Sequence, residues 1–93
     1  MTVRAGVFKA LSDPTRRQIL ELLGHRDMTA GEIAERFPIA FASVSRHLGI
    51  LRDAGLVATE REGQFIRYRL NTTVYQELVR YLAKVVGGGS RDA

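Results

Sequence analysis

The chain has 93 residues and a formal net charge of +4, and twelve of its fourteen cationic residues are Arg. The absence of cysteine excludes disulfides, thiol redox switching and thiolate metal sites. No apolar run reaches the ~18 residues of a membrane span, and the first residues lack the charged and apolar blocks of a signal peptide. We therefore expect one small cytoplasmic domain over residues 1–86 without membrane insertion. The Arg-rich surface favours an acidic partner such as nucleic acid, although ordinary soluble proteins also carry such an excess.

Two helices are predicted at the start of the chain. Apolar residues at helical spacing predict the first over residues 3–11: Val3, Val7, Phe8 and Leu11. Asp13 and Pro14 then restart the chain, with Asp13 as N-cap and Pro14 at the first helical position. The second helix runs to about Leu23 and ends at Gly24, because glycine accepts the left-handed conformation that closes many helices.

The third and fourth helices follow a capping signal. Thr29 and Glu32 have the spacing of a capping box, and Pro38 closes a short helix over residues 30–37. A longer helix follows and ends at Gly55. Its apolar side chains fall on one face: Val44, Leu48 and Leu51.

A hairpin and a last helix complete the chain. Residues 56–70 predict two strands around Glu62-Gly63, with Ile66, Tyr68 and Leu70 on one face and a basic opposite face. The last helix carries a stripe that is too apolar for a helix that only caps a small domain: Val74, Leu78, Tyr81, Leu82 and Val85. Residues 87–93 lack a pattern and predict a flexible tail.

The fourth helix has the features of a helix that reads a DNA major groove. Arg46 lies opposite its apolar stripe among small residues, where a guanidinium can donate two hydrogen bonds to guanine. Ser43 and Ser45 could donate to a base or phosphate, or only to their own helix backbone. His47 fits either the edge of the core or a phosphate, and Arg52 either a salt bridge or a phosphate.

Further cations surround this helix in the sequence. Three arginines and one glutamine of the hairpin predict contacts with phosphates or the minor groove, although charged side chains on edge strands also prevent aggregation: Arg61, Gln64, Arg67 and Arg69. Arg16 and Arg17 point outward from the second helix and are weaker candidates for the DNA backbone. Small size and the apolar stripe predict a homodimer, with this interface: Val3, Val7, Val74, Leu78, Tyr81 and Val85.

Four segments in register over residues 3–86 resemble the bacterial ArsR/SmtB family of repressors. They are Phe8-Lys9-Ala10-Leu11-Ser12-Asp13-Pro14-Thr15-Arg16-Arg17-Gln18-Ile19-Leu20, Glu32-Ile33-Ala34, Ser43-Val44-Ser45-Arg46-His47-Leu48 and Leu51-Arg52-Asp53-Ala54-Gly55-Leu56-Val57. The resemblance implies a mainly α winged helix-turn-helix fold with five helices and a two-stranded wing. It also implies a homodimer that pairs through its first and last helices and represses from an inverted-repeat operator in double-stranded DNA. Within the family the chain looks most like the autorepressors that do not sense metal.

The chain departs from the family pattern at several positions. Ala40 and Phe41 replace a capping hydroxyl and a polar residue, which places direct base reading at these two positions in doubt. Related metal sensors carry Cys-x-Cys where this chain has Thr29 and Gly31, and the last helix offers only Glu77 as a ligand. We therefore expect no metal site and no cofactor.

No grouping of residues predicts catalysis, so we expect no enzyme. The alternative from another class is a winged-helix module that binds proteins, with its Arg residues only solubilising. The small residues around Arg46 argue against it, because protein-binding faces prefer aromatic anchors. The inducer could be a small molecule, a protein that captures the dimer, or nothing beyond the protein concentration.

Overall fold

The computed structural model describes residues 3–87 and contains five helices and three strands. In chain order they are α1 (Val7–Leu11), α2 (Pro14–His25), β1 (Met28–Thr29), α3 (Ala30–Ala34), α4 (Phe41–Asp53), β2 (Val57–Glu62), β3 (Phe65–Leu70) and α5 (Thr72–Gly87). The mainly helical winged helix-turn-helix fold is confirmed. Among the described residues, no helix combines the length and apolar character that crossing a membrane requires.

The wing belongs to a three-stranded antiparallel sheet with the order β1-β3-β2. The prediction of two strands omitted β1, which pairs Met28 with Tyr68 of β3. β2 and β3 form the predicted hairpin, and Gly63 takes a positive φ of 64° in its turn. The third strand ties the base of the wing to the start of α3, so the wing and the helix-turn-helix share one framework.

Local capping signals fix two helix starts where they were predicted. The Asp13 carboxylate accepts the Arg16 backbone N–H at 3.0 Å, with Pro14 in the first turn. The Thr29 hydroxyl accepts the Glu32 N–H, and the Glu32 carboxylate accepts the Thr29 N–H at 2.8 Å. These hydrogen bonds favour the ionised carboxylates, and the bond from Thr29 holds the pKa of Glu32 below its ordinary value.

Several element boundaries differ from the predicted ones, and α4 and β2 differ by one or two residues, since α4 ends at Asp53 and β2 begins at Val57. α1 starts at Val7 because Gly6 before it has a φ of 85°, and α2 continues past Gly24 to His25. α3 is regular only to Ala34, beyond which isolated turn bonds carry the chain onward. α5 includes Gly87, which was assigned to the tail, and the rest of that predicted tail lies outside the described residues.

One apolar core joins the helices and the sheet. Val44, Leu48 and Leu51 of α4 are fully buried in it, so the predicted inner stripe of this helix is confirmed. They pack with buried residues outside α4 that include Ile19, Ile33, Leu56 and Val74. Because one side of α4 is anchored in this way, its opposite side is presented to solvent at a fixed angle.

Candidate nucleic-acid interface

The outer face of α4 is the best-formed candidate surface. Phe41, Ala42, Ser45 and Arg46 are all exposed on the first turns of the helix, while Ser43 is half-buried. Within residues 3–87 the Arg46 guanidinium has no ion-pair or hydrogen-bond partner, and neither serine hydroxyl bonds to its own helix. The helix therefore presents a free guanidinium and two free hydroxyls beside small side chains.

His47 lies at the edge of the core, and not on this outer face. Its side chain is only 12% exposed, and its Nδ1 lies 4.0 Å from the Asp13 carboxylate. The same nitrogen is 3.2 Å from Nη1 of Arg16. Of the two placements left open by the sequence, the structure favours packing at the core edge over a free position toward phosphate.

Arg52 makes the alternative salt bridge. Its guanidinium lies 3.7 Å from the Asp53 carboxylate, and both side chains are exposed. Such exposed pairs contribute little to stability and break readily. Arg52 thus remains available at the rim of the outer face.

Arg16 is buried, which corrects its predicted outward position. It is 9% exposed, and its Nε donates to the Ala10 carbonyl at 2.8 Å. Its Nη2 donates to the Lys9 carbonyl at 3.2 Å. A continuing helix would satisfy the Ala10 carbonyl with the N–H of residue 14, but that residue is proline, which has no N–H. The guanidinium replaces this missing donor and ties α1 to α2.

Arg17 also donates a hydrogen bond to a carbonyl of α1, but at the surface of the protein. Its Nη1 donates to the Leu11 carbonyl at 2.8 Å, and its side chain is exposed. Both arginines therefore bond to the end of α1. The spacing of Pro14 four residues after Ala10 is a sequence signal that could have revealed this need for a side-chain donor.

The cations of the wing divide between its two faces. Residues paired across antiparallel strands share a face, so Arg61 lies with its partner Ile66 on the face that also carries Tyr68. Arg67 and Arg69 lie on the other face, opposite Glu60 and Ala58. The predicted basic face of the wing therefore carries Arg67 and Arg69 beside Glu60, and Arg61 lies on the other face.

Arg67 is bound within the protein. Its Nε donates to a carboxylate oxygen of Glu62 at 2.9 Å, and its Nη2 lies 2.8 Å from the same oxygen in an ion pair. Its Nη1 donates to the Asp27 carbonyl at 3.4 Å. The hydrogen bond to Glu62 and the charge of this carboxylate raise the pKa of Arg67 above its ordinary value. By contrast, Arg69 is exposed and has no ion pair among the described residues, and Arg61 only donates to the Gly63 carbonyl.

A cleft of about 330 Å³ separates the start of α4 from the wing. Phe41 and Phe65 line it, and both phenyl rings are largely exposed, at 56% and 57%. Gln64 of the wing turn lines it as well, as do Thr29, Ala30, Gly31, Ile66 and Tyr68. The sequence identified Phe41 only as a departure from the family pattern, and its free position on the outer face was not predicted.

Three of the six residues predicted for the dimer interface are not available for contact with a second chain. Val7, Val74 and Leu78 are buried in the core of the single chain, and Val3 is half-buried against it. Tyr81 and Val85 are exposed as required. The remaining exposed apolar side chains of α1 and α5 were not assigned to the interface: Phe8, Val79, Leu82 and Val86.

The second half of α5, residues 79–87, is exposed on every side and is named here the exposed half of α5. It is joined to α1 by an edge-to-face contact between Phe8 and Tyr81, with ring centroids 5.8 Å apart. Elsewhere, within residues 3–87, no three His, Asp or Glu side chains come together in a group that could hold a metal.

Comparison with known proteins finds similar chains. Residues 11–60 match the model of a helix-turn-helix domain family. The transcriptional repressor SdpR of Bacillus subtilis (strain 168) is 52% identical over 86 residues, which are 92% of this chain and 96% of the repressor.

Solved structures have the same fold. An ArsR-like transcriptional regulator from Rhodococcus sp. RHA1 superposes with a TM-score of 0.82 at 37% identity, over 94% of this chain and 82% of that one. The crystal structure of another ArsR family transcriptional regulator has a TM-score of 0.83 at 28% identity, over 95% of this chain and 91% of that one.

Proposed function

Because the chain belongs to the ArsR family of winged helix-turn-helix transcriptional regulators, we propose that it is a homodimeric, sequence-specific repressor that controls its own operator without sensing metal. The family binds double-stranded DNA and is not a family of enzymes. A repressor acts where the chromosome lies, so the proposal includes a cytoplasmic location. The Bacillus subtilis relative is named a transcriptional repressor, which supports repression as the outcome of binding.

The free guanidinium of Arg46 carries the DNA-reading part of this proposal. The side chain is exposed on a helix whose other side is locked into the core, and no carboxylate among the described residues neutralises it. The major groove presents N7 and O6 of guanine as two acceptors at a spacing that the Arg fork matches. We assign direct base contact to Arg46, with Ser43 and Ser45 beside it.

Phosphate contacts are assigned to the cations that remain free. In the wing these are Arg61 and Arg69, with Gln64 at the turn, while Arg67 is held by Glu62 and Asp27. Arg52 can contribute from the rim of α4 once its exposed pair opens. Phosphate contact is not assigned to Arg16, whose donors are used inside the fold.

Binding measurements on an operator test these roles. A duplex selected from a random-sequence pool by the purified protein serves as the operator, and an unrelated duplex serves as the comparison. Arg46→Ala should cost on the order of 1–3 kcal/mol per base contact on the operator and little on the unrelated duplex. Arg69→Ala should weaken both duplexes alike and lower the salt slope by about 0.9 for each phosphate that the variant no longer neutralises.

Arg67→Ala is the matched control for Arg69→Ala, because both side chains lie on the same face of β3. It should affect DNA binding less, since the Arg67 guanidinium is already bound to a carboxylate. If Arg46→Ala and Arg69→Ala both bind the operator as tightly as the parent, the DNA-reading proposal is refuted and the protein-binding module becomes the better interpretation.

The exposed half of α5 supports the homodimer. A helix whose last turns carry exposed Tyr81, Leu82 and Val85 needs a covering surface, because a contiguous apolar patch of this kind is rare on monomers. Phe8 extends the patch onto α1 through its contact with Tyr81. A second copy carries the same patch, so a two-fold symmetric pair covers the apolar patches of both chains.

Substitution on opposite sides of this helix tests the dimer. Val85 is 59% exposed and continues the line of Val74 and Leu78, so Val85→Asp should place two buried charges in the interface and yield a monomer. Ala83→Asp adds the same charge about 160° away around the helix and should leave the dimer intact. Sedimentation at micromolar concentration separates the outcomes, and a monomeric parent would contradict the proposal.

A further inference from the structure

An aromatic side chain occupies the first position of the reading helix. Phe41 begins α4 and is 56% exposed, and no side chain caps the helix at Ala40 before it. The phenyl ring therefore stands at the end of α4 that enters a major groove first. An exposed apolar side chain by itself requires no explanation, but this one stands at the N-terminal end of the helix that also presents the free Arg46.

Helical geometry places Ser45 one turn after Phe41 and about 40° away around α4, and it places Arg46 about 140° away from Phe41. Five residues separate Phe41 from Arg46, which corresponds to a rise of roughly 7.5 Å along the helix. Successive base pairs are about 3.4 Å apart. Because the N-terminal turns of a reading helix contact the base edges, both side chains can reach the same half-site from different sides of the helix.

Only one feature of the major groove matches a phenyl ring chemically. Donors and acceptors cover the base edges there, and the C5-methyl group of thymine is the single apolar projection. The cleft beside Phe41 leaves one side of the ring open. A thymine methyl that packs against the ring removes apolar surface of both groups from water.

We propose that Phe41 is a specificity-determining residue that reads the C5-methyl group of a thymine in each half-site of the operator. The inference rests on the proposed function, since it assumes that the outer face of α4 enters the major groove. It deepens that function by adding an apolar base contact to the polar contact of Arg46. It also assigns a role to a position where the family pattern has a polar residue and direct reading was in doubt.

Replacing thymine with deoxyuridine tests the proposal because this change removes only the methyl group and keeps base pairing. The operator selected from the random pool is synthesised with deoxyuridine at one thymine position at a time, in both half-sites together. At one position the parent protein should lose about 4-fold in affinity per half-site, the value expected for one methyl group that is no longer buried. Phe41→Ala should bind the thymine and deoxyuridine duplexes with equal affinity.

Phe65→Ala is the matched control. The substitution removes a phenyl ring from the same cleft. Phe65 is exposed to the same extent as Phe41, 57%, but it lies on the wing. This variant should keep the discrimination between thymine and deoxyuridine that the parent shows. Circular dichroism verifies that both variants are folded, which we expect because neither ring is part of the core.

The outcomes separate the failure of this inference from the failure of the proposed function. If the parent binds the operator selectively but no thymine position responds to deoxyuridine, the methyl contact is refuted and the DNA-binding function stands. If Phe41→Ala still discriminates against deoxyuridine, another residue reads the methyl group and Phe41 does not. If the parent selects no sequence over the unrelated duplex, the proposed function fails and the inference falls with it.

Discussion

The joint between α1 and α2 gives the sharpest prediction for stability. In Arg16→Ala the Ala10 carbonyl loses the Nε donor at 2.8 Å, and Pro14 cannot replace that donor. The Lys9 carbonyl loses a bond as well but keeps the Ser12 backbone N–H at 3.1 Å and the Ser12 hydroxyl. One carbonyl is therefore left without a partner, and the neighbouring one is not.

The expected loss of stability in Arg16→Ala follows from these contacts. An unsatisfied buried acceptor costs about 1–3 kcal/mol, and the lost packing of the buried Arg16 stem adds roughly 1 kcal/mol. We expect Arg16→Ala to lower the free energy of unfolding by about 3 kcal/mol. For a domain of this size, this loss corresponds to a fall of roughly 15 °C in the melting temperature. Arg16→Met keeps most of the stem and isolates the hydrogen-bond contribution.

Urea denaturation at one fixed protein concentration measures these differences, since the proposed dimerisation would make apparent stability depend on protein concentration. Arg17→Ala is the control, because its bond to the Leu11 carbonyl lies at the surface where water can replace it. We expect it to cost about 0.5 kcal/mol. Equal losses in Arg16→Ala and Arg17→Ala would refute the assignment of Arg16 as the missing donor.

Two further predictions concern pH and metal ions. The pKa of Glu32 is lowered from its ordinary value of 4.5 by the Thr29 hydrogen bond, so its stabilising contribution is present above that value and is lost as pH falls through the lower folded pKa. Glu32→Gln should therefore lose stability less steeply than the parent in urea titrations below about pH 4.5, and parallel curves would contradict this linkage. Zinc, nickel or cadmium at low micromolar levels should leave operator binding unchanged, and stoichiometric release by any of them would reveal a metal site.

Patterns within one element predicted the fold well. The apolar period of Val44, Leu48 and Leu51 gave the buried side of α4, and hence the exposure of Arg46. The spacing of Thr29 and Glu32 gave the capping box. Each of these features depends on residues three to seven positions apart, so the sequence holds all the partners.

Features that depend on contacts between elements were predicted poorly. Arg16 was expected at the surface because its carbonyl partners on α1 and its neighbour His47 on α4 are brought to it only by packing. Charge alternation placed Arg67 at the surface but did not select Glu62 as its partner. The two-residue strand β1 has too few residues for any period.

The apolar stripe of α5 was also predicted only in part, because its burial depends on contacts with other elements. Helical spacing puts Val74, Leu78 and Val85 on one side of the helix, but it does not say how far the rest of the domain extends beside them. The first two are covered by the chain itself, and Val85 is not. A single continuous stripe thus divides into a core half and an exposed half.

This division has a consequence for the lifetime of the protein. Residues 79–87 are exposed in the single chain and have one aromatic contact, between Tyr81 and Phe8, and helical turns with so little packing are marginal in water. In a monomer these turns would open often and expose peptide bonds to proteases, whereas pairing would close them. Cellular turnover would then remove unpaired chains first. The protein would therefore accumulate only above the concentration at which its chains pair.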